Sequence, residues 1–451
     1  MFEFGREIRR LFGPSASAPR DGMTGGDAAL LELLDMKLLR AEAKAADVAA
    51  GRISAKDKPR RLLEAAIVWR EVARRGGDAV ALRKAAATAE QAADGFAKAR
   101  RQQGWARARM EQAACALLGV ELFGDEGLEA AAEHAAAEAR RAGGVAGMQA
   151  MAVLARISAG RVLAKGDLLA VRSALREYNE PIAVLEAAGR RDPTLKVAGA
   201  EARLARAEGL IGAGLRLKDE GLLRAALGDL QAAAERLDHA YEPLTLSRVE
   251  IARAGARATL GELTGDITGV ARAVREIAEC LDDLALDHSP LDWARGQAAL
   301  AHALQCLGEA TDGEASFEKA VTCYDRAGLV LKTAPGLALR AVVASNRALC
   351  LARCAELTGD LAVLDAAEAG FKAELAAGPH RKDPAAWAML QVQLGQLYAT
   401  RLNLTGKDRG ERAAAAMAFS EALEVFGELG LRSLSVIAVD GLERLSKVAV
   451  G

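Results

Sequence analysis

Arg107, Arg248 and Arg295 stand at one phase of a 47-residue spacing, three periods and then one period apart. A row of guanidinium forks at a fixed interval can hold carboxylates in a bidentate way, so it suggests capture of an acidic side chain or a C-terminus. The plainer reading of the same residues is solvated charge on outward helix faces, because arginine is frequent throughout the chain. Other chemistry-bearing residues do not gather. Cys350 and Cys354 share a helix face at i, i+4 without a nearby His-x-x-x-His or Cys-x-x-Cys set, and read as small buried thiols. His134, His239, His288, His302 and His380 are dispersed. Gly209-x-x-Gly212-x-Gly214 lacks the preceding strand and following Lys-Ser/Thr pair of a nucleotide loop. Nothing assembles into a nucleophile, base and oxyanion hole, so the expectation is a non-enzyme with no cofactor and no metal.

What must position these residues is a repeat. Thr264, Thr311, Thr358 and Thr405 are 47 residues apart each time. Pro243, Pro290 and Pro384 keep the same period, as do Trp105, Trp293 and Trp387. So do the dipeptides Gly77-Asp78, Gly124-Asp125, Gly265-Asp266 and Gly359-Asp360, with Asp219 keeping the aspartate alone. A period of this length marks a solenoid, in which each unit buries its apolar face only by stacking on its neighbours. Counting outward gives eight units over 55–430, starting near 55, 102, 149, 196, 243, 290, 337 and 384. The register slips in the middle, where Gly166-Asp167 comes five residues early and Pro193 lies fifty before Pro243.

Within one unit, Ser289 and Pro290 read as the N-cap and first residue of a helix that runs to about Leu307-Gly308. In Thr358-Gly359-Asp360 the glycine can take the left-handed turn that ends one helix, and the aspartate can cap the next. Each unit is therefore two antiparallel helices of roughly 30 Å each at 1.5 Å rise per residue. No segment alternates with a period of two, so no sheet is expected and the fold class is all-α.

Leu394-Gly395-x-x-Tyr398 on the first helix, followed by Ala415-x-x-x-Phe419-x-x-Ala422 on the second, resembles the tetratricopeptide repeat. Ala320, Tyr324 and Ala327 repeat the second-helix pattern, and Ala367 and Phe371 repeat part of it. With Pro290-Leu-Asp-Trp293-Ala opening a helix, the chain is similar to a long-unit bacterial variety. The similarity is clearest over 243–430, weaker over 55–148 and faint over 149–242. It implies a right-handed α-solenoid whose concave face, lined by the first helices, binds a protein or peptide partner. Aligned on this pattern, Arg107, Arg248, Arg295, His302, Gln305, Asn346, Arg353 and Gln396 fall at groove positions, and Asn346 matches an asparagine that often holds a ligand backbone. The family's carboxylate-clamp set of lysines and asparagines is incomplete, which argues against a chaperone-tail receptor. The phased tryptophans read as packing between units.

A net charge of −1 over 451 residues argues against nucleic-acid binding. No apolar run reaches the roughly 18 residues of a membrane span, nor is there an apolar core of a secretory signal. Six scattered cysteines read as free thiols in a reducing cytoplasm. Residues 1–12 form an amphipathic pattern, with Phe2, Phe4, Ile8, Leu11 and Phe12 as its apolar members against Arg6, Arg9 and Arg10. This segment reads as a weak membrane-surface anchor, as a peptide that docks on a partner or a sister copy, or as a disordered end. Residues 13–26 read as a flexible linker, 27–54 as an N-terminal capping helix begun by Asp27, and 431–451 as a C-terminal cap. The resulting expectation is a cytoplasmic interaction scaffold, peripheral to a membrane if 1–12 anchors it and of undetermined oligomeric state. The alternative is a regulatory module whose curvature responds to a small molecule or signalling partner.

Overall fold

The computed structural model describes residues 30–52, 57–165, 168–334, 336–378 and 384–447. The expected helix at 1–12, with Phe2, Phe4, Ile8, Leu11 and Phe12, and the linker at 13–26 lie outside the described residues. Among those described, all regular structure is helical and there is no strand. After a short 3-10 turn at Leu30–Leu33 comes α1 (Met36–Gly51), and then helices that pair in sequence. The pairs are α2 (Lys58–Gly76) with α3 (Ala79–Lys98), α4 (Gln102–Phe123) with α5 (Gly127–Ala142), and α6 (Gly144–Lys165) with the two short helices α7 (Leu168–Arg176) and α8 (Asn179–Gly189). There follow α9 (Pro193–Leu217) with α10 (Glu220–Ala234), α11 (Pro243–Thr264) with α12 (Ile267–Asp283), and α13 (Pro290–Thr311) with α14 (Glu314–Leu331). The last are α15 (Ala338–Thr358) with α16 (Leu361–Ala377), α17 (Pro384–Thr405) with α18 (Glu411–Glu428), and a closing helix α19 (Arg432–Lys447).

The joints show why the pairs fold back. Gly77, Gly124, Gly265 and Gly359 all have φ between 63 and 73°, the left-handed region that an L side chain resists. The aspartate behind the glycine then accepts from the next helix: Asp78 from the Val80 and Ala81 amides, Asp266 from Gly269, Asp360 from Ala362 and Val363. All four phased threonines are the last residue of their helix and donate their hydroxyl to the carbonyl four residues back: Thr264 to Leu260, Thr311 to Leu307, Thr358 to Cys354 and Thr405 to Arg401. Helix α13 therefore runs one turn beyond the expected end at Gly308. Its joint inverts the usual pair, with Asp312 at φ 48° and Gly313 as the N-cap.

Within a pair, small residues admit an aromatic ring. A Cβ on Gly395 would come within 2.9 Å of the Phe419 ring and one on Gly441 within 2.6 Å, so Phe419 of α18 is held between α17 and α19. Ala415 and Ala422 beside it are wholly buried, as are Ala320 and Ala327 around Tyr324 in α14. These contacts build an all-α helical-repeat fold from antiparallel pairs. Trp105 packs with the alanines of α5 and α6 and also with Leu63 and Phe96 of the preceding pair, the between-pair role expected of it.

The middle departs from strict periodicity for a local reason. Gly143 and Gly144 both have positive φ, so the chain turns on two adjacent glycines and α6 begins at Gly144, ahead of the phase at 149. The next second helix breaks into α7 and α8 around the buried Tyr178, which adds residues before α9 starts at Pro193. At the N-terminal end Asp27, expected to begin a capping helix, lies outside the described residues, and the helix that follows starts later. Asp35 accepts from the Leu38 amide at 2.7 Å and starts α1 there, leaving Leu30–Leu33 as a separate turn.

The chain divides into two compact units, one of residues 1–299 with 333–338 and the other of 300–332 with 339–451. In the first, the largest cluster joins α6 to α11 through Leu185, Leu195, Leu210, Leu230 and Val249. In the second, cores form around Phe371 with Leu394 and Leu397, and around Phe419 with Phe426 and Val392. No helix among the described residues is long and apolar enough to cross a membrane.

Candidate functional site

The first helices of the first unit turn their charged residues toward one another. Arg74 on α2 pairs with Glu71 at 2.8 Å and reaches Glu201 on α9 at 3.7 Å. Glu121 on α4 takes Arg295 from α13 at 2.8 Å and Arg156 from α6 at 3.4 Å. Arg248 on α11 grips Asp292 on α13 in a bidentate pair of 2.9 and 2.5 Å. Residues up to 174 positions apart thus meet across one space. Pairs that stack only on their neighbours do not bring such residues together, so this unit curls until its inner face closes on itself.

That inner face is polar, crowded and still wet. Glu121 and Arg156 keep 34% of their side chains open to water and Arg295 keeps 32%, whereas Asp292 keeps 2%. Burial opposes ionisation of Glu71, but the charge and hydrogen bonds of Arg74 outweigh it and bring the carboxyl down to about 2. Asp292 is held further below the aspartate range, burial being overcome by Arg248, while Ser289 donates a further bond of 2.6 Å. Glu121 is lowered too, by Arg295 and then Arg156 against burial. Glu208 on α9 differs. Although its side chain is exposed, the crowding protein around it and the nearby Glu121 push its carboxyl up against the pull of Arg156 and Arg295. Arg74, Arg156, Arg248 and Arg295 thus face Glu71, Glu121, Glu201, Glu208 and Asp292 across the lumen.

The sequence-derived groove residues distribute unevenly. Arg248 and Arg295 do converge on this lumen, yet as partners of Asp292 and Glu121 and not as an open ladder. Arg107 is half-buried on α4 and contributes no ion pair to the cluster. The remainder belong to the second unit. Arg353 holds Glu309 through two bonds of 3.0 and 2.9 Å, Asn346 lies beside the Tyr324 hydroxyl, and Gln305 accepts a weak bond from the Cys350 thiol. His302 lies against Cys306, and Gln396 is exposed. Reasoning from the repeat missed Glu71, Arg74, Glu121, Arg156, Glu201 and Glu208, although Glu201 stands one period before Arg248, Glu121 one period after Arg74, and Arg156 midway between Arg109 and Arg203. The signal available was that acidic and basic residues share the same face on successive first helices.

No reactive thiol stands out among the described residues. Burial pushes Cys350 up to about 12 and Cys354 and Cys280 up to about 11, which keeps them protonated and poor nucleophiles. Gly209, Gly212 and Gly214 lie inside α9, and Gly214 gives room to Leu223 of α10, a packing role.

No family model matches the sequence, and no curated protein does. Similar solved structures include a Rap protein complexed with competence and sporulation factor, 11% identical, with a TM-score of 0.48 over 90% of this chain and 98% of that one. Yeast Tom70 is 13% identical with a TM-score of 0.27 over 91% and 92% of the two chains. The TPR domain of P58(IPK) is 17% identical with a TM-score of 0.23 over 92% and 99%.

Proposed function

We propose that this chain, a tetratricopeptide-like helical-repeat protein, is a non-catalytic interaction scaffold that holds a polypeptide segment against the first helices of its first unit. The observation that supports this reading is the charged inner face itself. Six first helices contribute to it, its ion pairs are partly water-accessible, and its unpaired member is Glu208. Self-complementary pairs of this kind can exchange partners with a segment bearing both signs of charge, at less cost than a dry ion pair would demand. Glu208, which holds no ion pair of its own, favours a segment that places a lysine, an arginine or a free amino terminus beside it. A small-molecule sensor is the alternative, and the same experiment separates the two.

A photo-reactive amino acid placed at Glu208 reports on the lumen without breaking an ion pair. One placed at Arg224, which is 65% exposed on the second helix α10, serves as the outward control. Irradiation of the full chain in its own cell extract should give a polypeptide adduct at 208, identified by mass spectrometry, and none at 224. A small-molecule adduct at 208 favours the sensor. Polypeptide adducts at 224 with none at 208 remove the lumen as the binding surface.

A further inference from the structure

We propose that residues 30–36 are a releasable clasp that holds the first unit closed and controls entry to its inner face. The clause about entry rests on reading that face as the binding surface.

The clasp bridges elements that the repeat alone keeps apart. The buried Glu32 carboxylate accepts from the Leu244 and Thr245 amides at 2.9 and 3.0 Å and from the Thr245 hydroxyl. It thereby caps the N-terminus of α11 from more than 200 residues away. The Met36 amide donates to the Asp287 carbonyl at 3.0 Å, and the His288 ring lies 2.5 Å from the Glu32 carbonyl. From the other side, Arg75 at the end of α2 has no exposed surface. Its guanidinium donates to the carbonyls of Leu31, at 3.0 Å, Leu34 and His288. Leu31, Leu34 and Met36 add buried apolar contacts. One short segment therefore ties the first pair to the fifth and to the loop before the sixth.

Its polar half is built to let go. Glu32 and Arg75 are both buried at this seam, yet neither is paired with the other: one is satisfied by amides and a hydroxyl, the other by carbonyls. Neither group has an ion-pair partner in hydrogen-bond contact, Glu71 and Asp292 acting on Arg75 only through space, so both regain hydration when the seam opens. Desolvation lowers the affinity of Arg75 for its proton to about 10, consistent with the cost of its burial. The apolar half opposes release, so closed and open states differ by a small balance of opposing terms. Release does not require α1 to unfold. Asp35 caps α1 through the Leu38 amide, so the helix keeps its own start when residues 30–34 swing away.

The test reads access without any ligand. In the full chain with Cys280 replaced by alanine, Glu208→Cys is labelled by a small maleimide and by a polyethylene-glycol maleimide of several kilodaltons. With the clasp intact the large reagent should react slowly relative to the small one. Glu32→Ala, which removes one cap, should raise the large reagent's rate roughly fivefold while leaving the small reagent's rate nearly unchanged. Thr245→Val removes only the hydroxyl contact and should give a smaller rise in the same direction. Hydrogen exchange should quicken at 243–250 and 284–290 and stay unchanged in α4 and α9. An unchanged large-reagent rate in both variants overturns the clasp, as does exchange that quickens throughout the first unit, which would mark the segment as plain structural support. If labelling behaves as expected but no polypeptide adduct forms at 208, the clasp stands and the binding reading falls.

Discussion

At the scale of single residues, the joints between helices show which positions carry backbone constraint. Gly77, Gly265 and Gly359 take the left-handed turn at no steric cost, whereas Lys218 at φ 51° and Asp312 at φ 48° occupy the same position with a Cβ. The Asp219 and Gly313 amides still make the six-to-one bond that closes such a turn, at 2.9 and 3.1 Å, so the motif forms despite the strain. Lys218→Gly and Asp312→Gly should each stabilise the protein by roughly 0.5–1 kcal/mol, strain relief being set against the more flexible unfolded chain. Chemical denaturation of each variant checks this, and a loss of stability would show that these side chains make contacts worth more than the strain. The glycines and aspartates of the joints were legible from the sequence because their chemistry is local. The fate of Arg248 was not, since its partner Asp292 lies 44 positions away and shares no phase with it.

At the scale of elements, what fixes the distance between helices is the space a glycine leaves for a ring. Phe419 occupies that space between Gly395 and Gly441, and Phe317 fills the equivalent one beside Gly308. Gly395→Ala and Gly441→Ala should each cost on the order of 1–3 kcal/mol, because the added methyl meets a ring that has no free volume to move into. Phe419→Leu should recover part of that loss in the Gly395→Ala background, a coupling that a double-mutant cycle in urea would read. Additive effects would mean that the ring moves freely and does not set the spacing. The sequence pattern Leu394-Gly395-x-x-Tyr398 with Ala415 and Phe419 forecast this contact, since it lies within one pair. The break of the third second helix into α7 and α8 was not forecast beyond a slip in register, although Pro181 in the first turn of α8 is a local signal for it.

At the scale of the whole molecule, the inner face of the first unit makes stability depend on acid. Glu71 and Asp292 have native affinities for protons below those of an unfolded chain, so the stability they provide is complete above about pH 4–4.5 and is lost as pH falls through their native values. Asp292→Asn should cost roughly 3–5 kcal/mol at pH 7, since it strands the buried Arg248. The difference from the parent should shrink by pH 2, where the parent is itself losing that carboxylate's contribution. Denaturant titrations at both pH values check this, and a pH-independent difference would show that Asp292 acts through packing and not through charge. By itself the sequence determined the helical class, the paired architecture, the joints and the aromatic-in-alanine packing. Each of these follows from interactions within about one 47-residue unit, where residue type and spacing specify the contact. Only the tertiary structure decided that the first unit closes, that Glu32 and Arg75 lock the seam, and that Arg248 and Arg295, two of the three arginines suggested as a ligand ladder, are already paired with Asp292 and Glu121. The reason is physical: closure sums small rotations over several stacked pairs, and no local pattern records where that sum brings residue 32 against 245 or residue 121 against 295.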